Sequence, residues 1–179
     1  MNKNYKINDE IINNKINDGI INKINNGIIY SKITMDNNIF IVSNSPNDSN
    51  LKKYINYLES EETDIIIRVC EKEYNEKNIN KIKFVDLFTE DGCVPTNEVI
   101  NIFIDLCKNN KTIAIHCMSG LGRAPTFVAI CDILLYNNKP YESVERIRRI
   151  IKDSFNKKQL NFLLKELPTN KKNTLCNIM

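Results

Sequence analysis

Thr112-Ile-Ala-Ile-His-Cys-Met-Ser-Gly-Leu-Gly-Arg-Ala-Pro125 is the stretch whose reading decides the fold. Thr112 to Ile115 is short, apolar and β-branched, the pattern of a buried strand. From Ala124 the chain continues Ala-Pro-Thr-Phe-Val-Ala-Ile-Cys-Asp-Ile-Leu-Leu-Tyr136, which has helical length and mostly apolar character. The loop between strand and helix therefore opens the helix, where unpaired N–H groups and the positive end of the dipole make an anion site. A cysteine at such a position is a candidate nucleophile, because its thiolate is favoured there. Cys117 is that cysteine. Arg123 is the candidate clamp, its planar fork matched to two oxygens of a phosphate. Met118, Ser119, Gly120, Leu121 and Gly122 form the cradle between them, with both glycines allowing successive amides to face inward. Pro125 sits just inside the helix start, where it costs no hydrogen bond. His116, the chain's one histidine, reads as a residue that orders the loop rather than as a base.

Working outward, Asn38 to Val42 is a strand candidate, and Ser45-Pro-Asn-Asp-Ser-Asn50 supplies start signals for an amphipathic helix to about Leu58. Asp64 to Val69, with three consecutive isoleucines, reads as a buried strand, followed by another from Ile82 to Leu87. A polar loop, Phe88 to Pro95, leads to Thr96 as N-cap of a helix to about Lys108. Helices are predicted over 124–136, 140–151 and 156–167. Strands alternating with helices, then helices alone, predict an α/β fold with a mainly parallel central sheet flanked by helices on both faces. Ligands of such sheets bind beyond the carboxyl ends of the strands. Cys117 and Cys70 each follow a strand, which places both on one rim.

His116-Cys-Met-Ser-Gly-Leu-Gly-Arg123 resembles the Cys-x5-Arg signature of cysteine-based protein tyrosine and dual-specificity phosphatases. The extension Gly120-Leu-Gly-Arg-Ala-Pro125 is similar to the prenylated phosphatases of regenerating liver, the protein tyrosine phosphatase type IVA family. Arg68-Val-Cys-Glu71, Asp91-Gly92 with Pro95, Phe155-Asn-Lys-Lys-Gln-Leu160 and a C-terminal CaaX box match the same branch in the same order. The resemblance implies the cysteine-based phosphatase fold and hydrolysis of a phosphotyrosine-type protein substrate through a phosphocysteine. No cofactor or metal is expected.

A departing phenolate needs a proton, and a carboxylic acid on a mobile loop is the usual provider. Asp91 is the candidate, with Gly92 as hinge, and it aligns with the general acid of the resembled family; a plain Asp91-Gly92 turn is the bland alternative. Glu90 is second choice, and Asp86 reads as a structural residue at a strand end. The family's Trp-Pro pair before the acid is replaced here by Leu87-Phe88. Ala124 stands where the wider superfamily commonly has a hydroxyl, so slow hydrolysis of the phosphocysteine is expected. The loop carries no lysine or extra arginine, which suits a phosphotyrosine-like monoester better than a polyphosphorylated inositol lipid. Gln159 is a candidate for positioning water, or a helix-surface residue. By resemblance Cys70 is the redox partner of Cys117; a small core residue is its other reading.

The chain has 179 residues, 42% of them hydrophobic, and a net charge of +3 from 25 basic and 22 acidic residues spread throughout. One soluble domain follows, with no signal peptide or membrane span in view, and the balance gives no reason to expect a nucleic-acid partner. Cys70, Cys93, Cys107, Cys117, Cys131 and Cys176 lack zinc-type C-x-x-C pairs, so a reducing setting with one reactive cysteine fits better than a disulfide scaffold. Residues 1–28, built from Asn, Ile, Lys and Asp with an imperfect repeat, read as a flexible extension. Residues 29–167 read as the phosphatase domain and 168–179 as a tail. Cys176-Asn-Ile-Met179 fits a CaaX box whose methionine favours farnesyl. One prenyl chain binds a bilayer reversibly, so partial residence on the cytoplasmic face of membranes with a cytosolic pool is expected. The resemblance also carries the alternative of a binding regulator that engages CBS-pair magnesium transport mediators through the same pocket, and of a homo-oligomer. An RNA triphosphatase is disfavoured by the tail and the charge.

Overall fold

Residues 22–25 and 27–167 are described in a computed structural model of the chain. Among them run strands β1 (Asn22–Asn25), β2 (Ile28–Met35), β3 (Asn38–Asn44), β4 (Ile65–Arg68), β5 (Lys83–Asp86) and β6 (Thr112–Cys117). They form one sheet in the order β1-β2-β3-β6-β4-β5. The pairs β3–β6, β6–β4 and β4–β5 are parallel, while the two hairpin pairs β1–β2 and β2–β3 are antiparallel. Mainly parallel, as expected, the sheet has its isoleucine-rich strands in the middle: every residue of β4 and β6 is buried. Strands covered on both faces need that continuous apolar run.

The period of two along each strand sorts side chains between two cores. Phe40, Val42, Ile65, Ile67, Ile113, Ile115 and Cys117 pack on one side with Phe103, Phe127 and Ile147. These come from helices α2 (Asn97–Asn109), α3 (Arg123–Leu134) and α4 (Pro140–Ile150). Tyr30, Ile41, Ile66 and Ala114 face the other side. There they meet Leu51, Tyr54 and Leu58 of helix α1 (Leu51–Ser60). Both faces are thus covered. The expected last helix is divided into α5 (Lys157–Asn161) and a wider π-helical turn, Phe162–Glu166. Among the described residues no helix is long and apolar enough to cross a membrane.

Two corrections concern the N-terminal side. β2 lies where no strand was expected, although Asp36-Asn37 is a turn signal between two alternating runs. The folded part also begins before residue 29: β1 pairs with β2, and Gly27 takes the positive φ of +80° that the connection needs. Asn44 at the end of β3 ties this hairpin down, accepting from Ile29 N (2.7 Å) and donating to Gly27 O (3.2 Å). The Asn/Ile bias hid an ordinary hairpin signal, Asn26-Gly27, inside what reads as a low-complexity extension. Residues 1–21 of that extension and the tail 168–179, with the CaaX box at Cys176, lie outside the described residues.

Candidate active site

β6 ends at Cys117 and α3 begins at Arg123, with Gly122 as its N-cap. Eleven of the twelve α3 residues are buried, so the helix runs through the core and shows no amphipathic stripe. No side chain caps its N-terminus, which leaves the first-turn N–H groups free to face an anion. The loop is pinned from behind. Ser45 N donates to Met118 O (3.2 Å) and Phe155 N to Leu121 O (3.0 Å). Gly120 has φ +76°, and a Cβ there would stand 2.9 Å from the backbone N of Asn44 and C of Ser43. Glycine is required twice over at this position, by conformation and by space.

Arg123 is only 3% exposed, and three residues from two loops aim its guanidinium. Nη1 donates to Glu71 Oε2 (2.8 Å) and to Thr89 O (3.0 Å). Nη2 lies 3.0 Å from Asp91 Oδ1. Glu71 is held below the usual carboxylate range by its own backbone N–H and by Arg123. Of the three carboxylates weighed for the acid, Asp91 alone reaches Arg123. Glu90 instead accepts from Cys93 Sγ (3.7 Å), and Asp86 makes a two-pronged pair with the buried Arg68.

A cleft of about 280 Å³ gathers Asp91, Cys117, Ser119, Leu121, Gly122 and Arg123 with Gln159. Met118 and Gly120 do not line it: Met118 points outward, half-exposed, and Gly120 sits against β3. Gln159 is buried rather than on a helix surface, and its amide atoms lie 3.2 Å from where a Cβ on Gly122 would be. It completes a capping box with Asn156, accepting from Asn156 N (3.0 Å). The same turn grips the loop that carries Asp91: Asn156 Nδ2 donates to Gly92 O (2.9 Å), Gln159 Nε2 to Cys93 O (3.3 Å) and Lys158 Nζ to Cys93 Sγ (3.2 Å). Just before it, Asp153 and Phe155 adopt positive φ of 61° and 69°. Strain of that kind in a non-glycine residue persists only where surrounding contacts impose it.

Cys70 and Cys117 are both buried free thiols at the ends of neighbouring strands. Burial pushes the Cys70 thiol up to about 12, with Cys117 adding to the effect and Arg123 opposing it. His116 faces away from the cleft, because one step along β6 reverses the side chain. Its Nε2 is 2.7 Å from Tyr74 Oη, its Nδ1 is 3.9 Å from Cys70 Sγ, and its ring meets Tyr54 edge-on at 6.0 Å. Burial, then the nearby Arg68, drives the imidazole down to about 3, so it is neutral. Glu71, Asn156 and Lys158 lie in the motifs that carry the resemblance but have no role assigned from sequence, and Tyr74 lies in none; only Asn156 has a local signal, Asn-x-x-Gln. Among the described residues no group of three or more metal-ligating side chains comes together.

Residues 47–167 match a family model described as the PTP-SAK, Swiss Army Knife protein, DSP-PTPase phosphatase domain. The PRL-1 phosphatase of Drosophila melanogaster is 36% identical over 138 residues, which are 72% of this chain and 77% of the relative. A probable protein tyrosine phosphatase type IVA A of Dictyostelium discoideum is also 36% identical, over 78% of this chain and 87% of its own. Among solved structures, a protein tyrosine phosphatase from Leishmania major superposes with a TM-score of 0.67 at 26% identity, covering 72% of this chain and 88% of the other.

Proposed function

The chain belongs to the protein tyrosine phosphatase type IVA family and is a protein tyrosine phosphatase, and from that premise we propose that it works through a phosphocysteine on Cys117 with slow release. Cys117 attacks the phosphorus of a phosphotyrosine-type monoester as the ester P–O bond breaks. Arg123 and the first amides of α3 hold the phosphoryl oxygens. Asp91 gives its proton to the departing phenolate oxygen. Water then breaks the S–P bond, with the Gln159 amide beside it. Ala124 offers no hydroxyl to the leaving thiolate, which makes this second step the slow one.

The observation that carries the proposal is the setting of Arg123, whose Nη1 edge is anchored on Glu71 and Thr89 while its Nη2 edge meets Asp91 in the cleft containing Cys117. A phosphoryl group at that edge would sit between nucleophile, clamp and acid. Rapid-quench kinetics on one aryl phosphate with wild type, Cys117→Ser and Asp91→Ala tests it. The expected outcome is a burst of phenol close to one equivalent in wild type, none in Cys117→Ser, and a slowed burst in Asp91→Ala. Linear turnover without a burst would refute rate-limiting hydrolysis.

The reading includes redox protection, in which Cys70 closes a disulfide on Cys117 after oxidation by a peroxide. Support comes from the two buried thiols at adjoining strand ends. It also includes a membrane-attached form, supported by the Cys176-Asn-Ile-Met motif. Cys176→Ser should then move the protein out of the membrane fraction of cells.

A further inference from the structure

We propose that His116 accepts the proton of Cys70 as that thiol closes on oxidised Cys117, and that Tyr74 is the positioning residue that holds the imidazole in the tautomer able to do so. The inference rests on the redox reading above. It starts from a difficulty in that reading: Cys70 is 2% exposed and its thiol is pushed up to about 12. A thiol so raised by burial is almost wholly protonated near neutral pH, and the thiolate is the attacking species. A resolving cysteine so placed needs its proton removed where it stands.

His116 is the group placed for that task. It is fully buried, its Nδ1 is 3.9 Å from Cys70 Sγ, and its Nε2 is 2.7 Å from Tyr74 Oη. Tyr74 is itself buried, its ring over the Arg68 guanidinium (5.2 Å). Burial raises the Tyr74 phenol above its usual range and keeps it neutral. Its oxygen can therefore accept from Nε2–H, which leaves the Nδ1 lone pair for the Cys70 S–H. The other charged and titratable groups facing the pair are Arg68 on β4 and Tyr54 on α1 toward His116, and Cys117, Arg123, Glu71, Arg68, Tyr54 and Tyr74 toward Cys70. Glu71 is taken up by Arg123. His116 is the group whose ring nitrogen meets the Cys70 sulfur, at 3.9 Å.

The chemistry balances. A peroxide oxidises the Cys117 thiolate to the sulfenic acid by two electrons, its O–O bond breaking to release hydroxide. Cys70 sulfur then attacks Cys117 sulfur, the S–S bond forms and the S–O bond breaks. The Cys70 proton passes to Nδ1 and from there to the departing hydroxide, giving water and the neutral imidazole again. An imidazole near 3 is a weak base that stays unprotonated in neutral solution, and it takes the proton only as the S–S bond forms, not beforehand. It still far exceeds water as an acceptor for a sulfur proton that turns strongly acidic as the S–S bond forms.

The test follows disulfide closure in the full chain by rapid mixing with hydrogen peroxide, in enough excess that sulfenic acid formation is not limiting. Closure is read by non-reducing peptide mapping after acid quench, from pH 6 to 9. With His116 as acceptor the wild-type closure rate stays within about twofold across that range, since neither group titrates there. Tyr74→Phe keeps the ring but not the oxygen; closure should slow about tenfold or more at pH 7 and acquire a rise with pH. A wild-type rate climbing about tenfold per pH unit, the signature of free thiolate attack, would overturn the inference alone. So would a Tyr74→Phe protein with the wild-type rate and profile. If that variant does not fold, the wild-type profile decides by itself. Absence of a Cys70–Cys117 peptide in wild type would overturn the inference together with the redox reading, while leaving the phosphocysteine burst as it is.

Discussion

Three carboxylates stand within six residues of one another at and after the end of β5, and position alone separates their fates. Asp86 is spent on Arg68, Glu90 turns to Cys93, and Asp91 reaches Arg123. Asp91→Asn should therefore lower kcat/KM for an aryl phosphate with a poor leaving group by about 10²- to 10⁴-fold, whereas Glu90→Gln stays near wild type. Equal losses in both, measured at substrate well below KM, would argue that the acid is not Asp91. Gly120 is constrained by its φ of +76° and by the 2.9 Å approach to Asn44 N and Ser43 C. Gly120→Ala should cost at least about 1–3 kcal/mol, read as a lower urea midpoint, because the neighbour that must give way is backbone. An unchanged midpoint would mean the loop is not held against β3. At this scale the meeting of Cys117 and Arg123 in one cleft was legible, since one strand-loop-helix carries both. Glu71 was not: it approaches Arg123 from 52 residues away.

At the level of elements, the short turn opening α5 ties the cleft together. Its capping box builds the turn, and its side chains bridge to Gly92 and Cys93, so one local motif both starts a helix and holds the loop of Asp91 beside the cleft. Asn156→Ala removes the cap and the Gly92 contact together. It should cost about 1 kcal/mol of stability and should speed hydrogen exchange at the amides of 90–93. A variant with lower stability but unchanged exchange in that loop would show that the tether is incidental. Helix α3 illustrates the opposite case. Its apolar run identified it, and being buried on nearly every side it gave no periodicity from which its neighbours could be read. β2 was missed because isoleucines and asparagines recur on both sides of it, so its alternation did not stand out until β3 paired with it.

Across the whole molecule, His116 couples the site to stability. The chain has one histidine, and burial lowers it from its ordinary 6.5 to about 3. Between those values the unfolded chain binds a proton that the folded chain does not, so stability is full above about 6.5 and falls as pH drops through the window. The slope should approach about 1.4 kcal/mol per pH unit near pH 5, before the lowered carboxylates Glu71, Glu76 and Glu98 titrate. Urea midpoints that coincide at pH 7 and pH 5 would mean the imidazole is not buried neutral. By itself the sequence determined the family and the layering: which strand-loop-helix carries the Cys-x5-Arg signature, which strands are buried on both faces, and where helices begin. Those signals are local, written in spacing, β-branching and capping over a few residues. Tertiary structure decided which carboxylates meet Arg123, that the histidine faces the second thiol rather than the cleft, and that α5 grips the loop of Asp91. These are meetings between segments tens of residues apart, set by strand order and by which side of a strand faces which core, and no local pattern encodes them.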